Sequence, residues 1–193
     1  VDGSVNPIRD IETINLELLY SDMEFVEKLV ANQKKKTKSG DKDAIFRLAV
    51  YEKIADHLAK EKPVRFLDLS DKENDVLSGI NFLTAKDVIY VANVDEGSLT
   101  LNKKEVFSKF EEFIESEGAQ VIYLSAYMEH ELSQFEPDEQ LEYLKELGLS
   151  ESGLSRLSVA CFNLLGLQTY YTAGPKEVRS WTIKQGSSAP VAA

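Results

Sequence analysis

The chain is poor in the residues that build covalent or metal-held scaffolds. Cys161 is the one cysteine among 193 residues, which excludes an internal disulfide framework and any cysteine-rich zinc site. Its neighbours supply no basic group to make a thiolate, so it reads as core packing. The 2 histidines, His57 and His130, lie far apart with no clustered ligand pattern and read as surface or helix-cap residues. No apolar run approaches the ~20 residues of a membrane-spanning helix, and the first residues do not read as a signal peptide. A reducing, cytoplasmic setting is the expectation. Positive charge is scarce as well: 22 Lys and Arg stand against 33 Asp and Glu, a net charge of −11. That balance favours solubility and argues against broad electrostatic binding of nucleic acid by the whole surface, while leaving room for a local basic patch. No DNA specificity is evident.

What is present suits a folded α/β chain. Hydrophobic residues make up 43% and charged residues 28%, ordinary values for a globular protein that buries one core or two small ones. The organising stretch is Asp87-Val88-Ile89-Tyr90-Val91-Ala92-Asn93-Val94-Asp95-Glu96. Val88 to Val91 is apolar and β-branched without polar alternation, the pattern of a parallel strand buried on both faces, although so short a run also fits buried helix. About thirty residues on, Val121-Ile122-Tyr123-Leu124 runs into Ser125-Ala126, with an expected helix over 103–118 between. Open α/β sheets bind ligands at the carboxyl ends of such strands.

Before this unit, Pro7 suits a first helical turn, and Ile11, Ile14 and Leu18 follow at helical spacing. Ser21 or Asp22 reads as a second N-cap, with Phe25, Val26, Leu29 and Val30 continuing an apolar stripe. Lys34, Lys35, Lys36 and Lys38 precede Gly40, and Asp41 is placed to cap the next helix, with Ala44, Leu48, Tyr51, Ala55 and Leu58 along one face. Two helices and a tight turn predict an antiparallel helical hairpin. Its lysines are the one clear basic cluster, either a solvated helix end or a contact for nucleic acid or an acidic partner. Val64 to Leu69 is expected to lead back toward the sheet, and Ser70-Asp71 to start a helix reaching about Leu83. Beyond Ala126, helices are expected over 127–135, 137–147 and 154–165. Strands over 167–173 and 177–183 flank a Gly174-Pro175 turn.

The two strand ends resemble the base-reading motifs of P-loop GTPases, Asn-Lys-x-Asp and Ser-Ala, with Asn-Val-Asp-Glu in place of the first. Three further segments extend the likeness: Asn6 to Leu18, Leu83-Thr84-Ala85-Lys86, and Tyr171 to Ile183. Together they resemble the YchF/Obg-like ATPase family along essentially the whole chain. The resemblance implies an α/β fold: the C-terminal part of a P-loop NTPase Rossmann-like G domain, with an inserted antiparallel α-helical hairpin (a coiled coil) and the start of a β-grasp TGS domain. It divides the chain into 1–66, helical insertion; 67–166, C-terminal half of the G domain; and 167–193, start of the TGS domain. It implies ATP as ligand, GTP being less favoured, with Mg2+ in the full-length parent, and the ribosome or RNA as partner. By the same resemblance Asn93 hydrogen-bonds the adenine and braces the phosphate loop, the backbone of Val94 touches the base edge, and Glu96 replaces the guanine-reading aspartate. Ser125 and Ala126 line the base pocket through backbone amides. Lys34, Lys35, Lys36 and Lys38 are the candidates for RNA or ribosome contact.

The phosphate half of such a site has no counterpart in these residues. A P-loop needs Gly-x-x-x-x-Gly-Lys-Ser/Thr, so that glycine amides approach the phosphates while the lysine and hydroxyl serve phosphate and Mg2+. None of the 10 glycines precedes a lysine, and none follows an aspartate by three positions. The expectation is an internal fragment that reads the base, carries no catalytic residue of its own, and holds no metal. The alternative is a helical and β-rich interaction module that binds a protein or RNA without nucleotide chemistry.

Overall fold

The structure is a computed structural model and describes residues 5–100 and 107–192. The chain divides into two compact units, Val1–Asp87 and Val88–Ala193.

The first unit is built on helix α1 (Pro7–Lys36), 30 residues long. Asn6 caps it, its side chain accepting from Arg9 N at 3.3 Å, and Pro7 occupies the first turn, where a missing N–H costs nothing. Asp10 near the start and three lysines near the end both complement the helix dipole. A 3-10 turn (Thr37–Ser39) closes on Gly40 in the left-handed region at φ 73°, and the Asp41 side chain then caps α2 (Lys42–Leu58). The two helices run back along one another. Gln33 Nε2 donates to the Ala44 carbonyl at 3.1 Å beside the turn, and Val26, Val50 and Ile54 interlock further along.

Three expectations change here. No second N-cap interrupts α1, because Asp22 is buried and turned inward. Its carboxylate accepts from Leu83 N at 2.8 Å and from Thr84 N and Thr84 Oγ1 at 2.7 Å each. Thr84 Oγ1 in turn accepts from Val64 N at 3.1 Å, so one helical carboxylate fastens two later segments. The stripe that begins at Ile11 is only partly enclosed: Ile11 and Leu18 are half-buried, Ile14 is 54% exposed, and the fully buried face starts at Leu19. The helix from Asp71, α3 (Asp71–Leu77), stops well short of Leu83 because Gly79 adopts a positive φ of 88°. Leu83–Ala85 is a separate 3-10 turn, as is Val64–Phe66. Val76 and Phe82 complete the core of this unit, and Phe82 meets Phe25 edge-on at 5.5 Å between centroids. His57 Nε2 lies 3.0 Å from the Pro63 carbonyl, a local tie at the end of α2.

The second unit begins with β1 (Ile89–Asn93), followed by α4 (Glu96–Thr100), α5 (Ser108–Ser116) and β2 (Gln120–Leu124). β1 and β2 are parallel, Ile89 opposite Gln120 and Asn93 opposite Leu124. The expected helix over 103–118 is thus seen from Ser108, and its beginning lies outside the described residues. β1 is less enclosed than its apolar sequence suggests: Val91 is 48% exposed, because nothing among the described residues covers that face. α6 (Ala126–Leu132), α7 (Pro137–Glu146) and α8 (Gly153–Leu164) follow, then an antiparallel hairpin of β3 (Leu167–Ala173) and β4 (Val178–Lys184), and a final turn of helix, α9 (Ala189–Ala192). Leu99, Tyr123, Met128, Leu132 and Leu144 form the core. Among the described residues no helix is long and apolar enough to cross a membrane.

Candidate site at the carboxyl ends of two parallel strands

Parallel pairing puts the ends of β1 and β2 side by side, and the chain leaves each strand on a polar residue. The ladder runs one step past Asn93, with Val94 N donating to the Leu124 carbonyl at 2.9 Å. The Asn93 side chain then crosses to the second strand end, where its Oδ1 accepts from Ala126 N at 2.9 Å. A backbone N–H can meet only the oxygen of the amide, so the Asn93 Nδ2 group is the end left to face outward.

Ser125 is buried and caps α6, its Oγ accepting from Met128 N at 3.4 Å while its carbonyl accepts from Glu129 N at 2.9 Å. Behind it, Arg156 of α8 donates to the Tyr123 carbonyl at 2.8 Å, and the buried Glu129 carboxylate accepts from Gly153 N at 2.6 Å. These contacts hold the end of β2 against the start of α8.

The loop after β1 is fixed by its own carboxylate. Asp95 is exposed and accepts from Ser98 N at 2.9 Å and Ser98 Oγ at 2.8 Å, opening α4; those two bonds, the hydroxyl first, hold its carboxyl below the usual range. Glu96 is half-buried, and its Oε1 accepts from the Tyr143 hydroxyl on α7 at 3.3 Å. Burial, then the charge of Glu96, push the Tyr143 phenol above its ordinary value, so it remains a donor at neutral pH. Burial and Glu111, 3.2 Å from its hydroxyl, act the same way on Tyr123.

The structure therefore brings Asn93, Val94, Ser125 and Ala126 to one edge, and places Glu96 on the helix that begins just beyond it. The Ala126 amide, expected to face a base, is already taken by Asn93. The lysines belong to the other unit: Lys34 pairs with Glu52 at 3.0 Å, and Lys35, Lys36 and Lys38 are exposed around the turn. Sequence reasoning missed Tyr143, which reaches Glu96 from 47 positions away without any motif to mark it. It missed Gly153 too, although a glycine just inside a helix start is a signal of close approach. Among the described residues no group of three His, Cys, Asp or Glu is placed to hold a metal ion.

A βαβ unit with polar side chains converging past parallel strand ends is the architecture of α/β proteins that bind ligands at a sheet edge. Over its whole length the chain belongs to the YchF/Obg-like ATPase family. It is 42% identical over 191 residues to the ribosome-binding ATPase YchF of Bacillus subtilis, covering 98% of this chain and 52% of that protein. It is 37% identical over 201 residues to Obg-like ATPase 1 of Schizosaccharomyces pombe, covering 100% of this chain and 51% of that protein. The solved structure of the Schizosaccharomyces pombe YchF GTPase superposes with a TM-score of 0.89 at 36% identity, covering 100% of this chain and 53% of that one. A family model described as YchF-GTPase_C, Protein of unknown function (DUF933), matches residues 167–193. The chain spans about half the length of the relatives it matches.

Proposed function

We propose that this chain supplies the base-recognising wall of an ATP site in a ribosome-associated ATPase. Asn93 presents its Nδ2 amide to an acceptor on the adenine ring, the Val94 backbone meets the base edge, and Glu96 accepts from the exocyclic amine. Ser125 and Ala126 form the adjoining lip. The observation that carries the reading is the bond from Ala126 N to Asn93 Oδ1, which locks the two strand ends together in a chain whose relatives are named ATPases. Adenine offers N7 as acceptor and its 6-amino group as donor, a complementary pair for an amide and a carboxylate.

In this reading residues 1–66 are the helical insertion, 67–166 the C-terminal half of the nucleotide-binding domain, and 167–193 the start of a TGS domain. Lys34, Lys35, Lys36 and Lys38 provide contacts to ribosomal RNA, in keeping with relatives named ribosome-binding, and the protein works in the cytoplasm. Mg2+ and the phosphate-binding loop belong to the remainder of the ATPase. The described residues supply no cluster that fits the ion, so no step here passes through it. Phosphoryl transfer depends on positioning and neutralising the phosphates, which makes base binding without hydrolysis the expected behaviour of the 193 residues.

Titration of the purified chain with fluorescent ATP and GTP tests this directly, with phosphate release followed in parallel. Tighter binding of ATP and no metal-dependent phosphate release are expected. Equal affinity for the two nucleotides removes the role of Glu96, and sustained hydrolysis removes the division of labour.

A further inference from the structure

Glu96 is a long, flexible carboxylate, and a base-reading group needs a fixed direction to discriminate. Tyr143 provides a means of fixing it. The phenol stands on α7, its ring half-buried against the core around Leu144 and 5.5 Å from the ring of Phe135 at 53°. From that anchored ring the hydroxyl donates to Oε1 of Glu96. The other titratable groups whose fields reach the phenol are Glu131 and Tyr127, both on α6. A donor set between carboxylates keeps its proton, so the bond persists through the neutral range.

We propose that Tyr143 is a positioning residue for base selection: it holds one oxygen of Glu96 so that the other is presented to the exocyclic amine of a 6-aminopurine. This rests on the base-reading role given to Glu96 above. The chemistry is asymmetric. A 6-amino group donates to the held carboxylate, whereas a 6-oxo purine brings an oxygen to the same place and meets two lone-pair surfaces in conflict. Without Tyr143, Glu96 can swing to water and the conflict is relieved. Loss of the hydroxyl therefore weakens ATP and relaxes the exclusion of GTP.

The experiment measures equilibrium binding of fluorescent ATP and GTP to the 193-residue chain and to its Tyr143→Phe, Glu96→Gln and doubly substituted forms, with thermal midpoints alongside. Tyr143→Phe is expected to lower the ATP-to-GTP affinity ratio about threefold to tenfold, the scale of one ordinary hydrogen bond. Glu96→Gln lowers the ratio at least as far, and the double substitution adds nothing to Glu96→Gln alone, the signature of one residue acting through another. A ratio unchanged in Tyr143→Phe but lowered in Glu96→Gln overturns the positioning role and leaves base reading intact. Equal weakening of both nucleotides in Tyr143→Phe marks a structural contact and also overturns it. No effect of Glu96→Gln, or no binding of either nucleotide to the unsubstituted chain, overturns the base-reading proposal itself and this inference with it.

Discussion

Asn93 carries two chemically different ends on one side chain, and the strand pair uses only one of them. Oδ1 is the acceptor for Ala126 N, while the Nδ2 donor has the polarity a purine N7 requires. Two substitutions separate these tasks. Asn93→Ala removes both, but its partner amide lies at an exposed edge where water replaces the lost acceptor. The stability cost is expected to stay within about 1 kcal/mol, while ATP affinity falls about tenfold, within the ~1–3 kcal/mol cost of leaving a buried polar partner unpaired. Asn93→Asp keeps an acceptor for Ala126 N and turns the outward donor into a charged acceptor facing N7. It should retain the unfolding midpoint and still lose ATP. If Asn93→Asp binds ATP as well as the unsubstituted chain does, Asn93 is a brace between strands and nothing more. That this residue ends a strand was legible from its place after an apolar run; which of its atoms is committed to Ala126 was not, since a contact across 33 positions leaves no periodic trace.

At the level of elements, the sequence was most readable where one local rule governs. Pro7, Gly40 and Asp41 mark helix ends by backbone and capping chemistry, and α1, α2 and the β3–β4 hairpin fall close to where those signals put them. It was least readable where a distant partner decides. Asp22 has the type and spacing of an N-cap, yet it accepts from Leu83 and Thr84, more than sixty residues on, inside an uninterrupted helix. The start of α8 belongs to the second kind. A Cβ added to Gly153 would lie 2.5 Å from Leu124 Cβ, 2.9 Å from Glu129 Oε1 and 3.3 Å from Leu124 Cα. None of these is the loose end of an exposed side chain: Leu124 is buried at the end of β2, and Glu129 is held by Gly153 N itself. Gly153→Ala should therefore destabilise by about 1–3 kcal/mol, as overpacking does, despite the better helix propensity of alanine. Because two of the three atoms belong to Leu124, the residue before Ser125, ATP affinity should drop with it. An unchanged urea midpoint would mean that α8 slides freely on β2.

For the molecule as a whole, the separate cores of Val1–Asp87 and Val88–Ala193 predict that a local change is felt in one unit. Glu73 allows a clean trial. Its carboxylate accepts from Lys53 Nζ at 2.8 Å, and from Ser70 N and Ser70 Oγ at 2.8 Å each. The Lys53 bond first, then the two Ser70 bonds, lower its pKa from 4.5 to about 2. The native state thus favours the ionised form more than the unfolded chain does. The stabilisation is present above the ordinary value of 4.5 and is lost as pH falls through about 2, below which both states are protonated. Glu73→Gln cannot ionise. The stability difference between the unsubstituted chain and Glu73→Gln is expected to be constant above pH 5, about half a unit over the ordinary carboxylate value, and to shrink steadily as the solution is acidified. Amide hydrogen exchange reads this residue by residue. Protection of core amides such as Val26 and Ile54 should follow the Glu73 difference, while Ile122 and Leu124 in the second unit keep theirs. A Glu73→Gln effect of equal size on both sets of amides would overturn the independence of the two units.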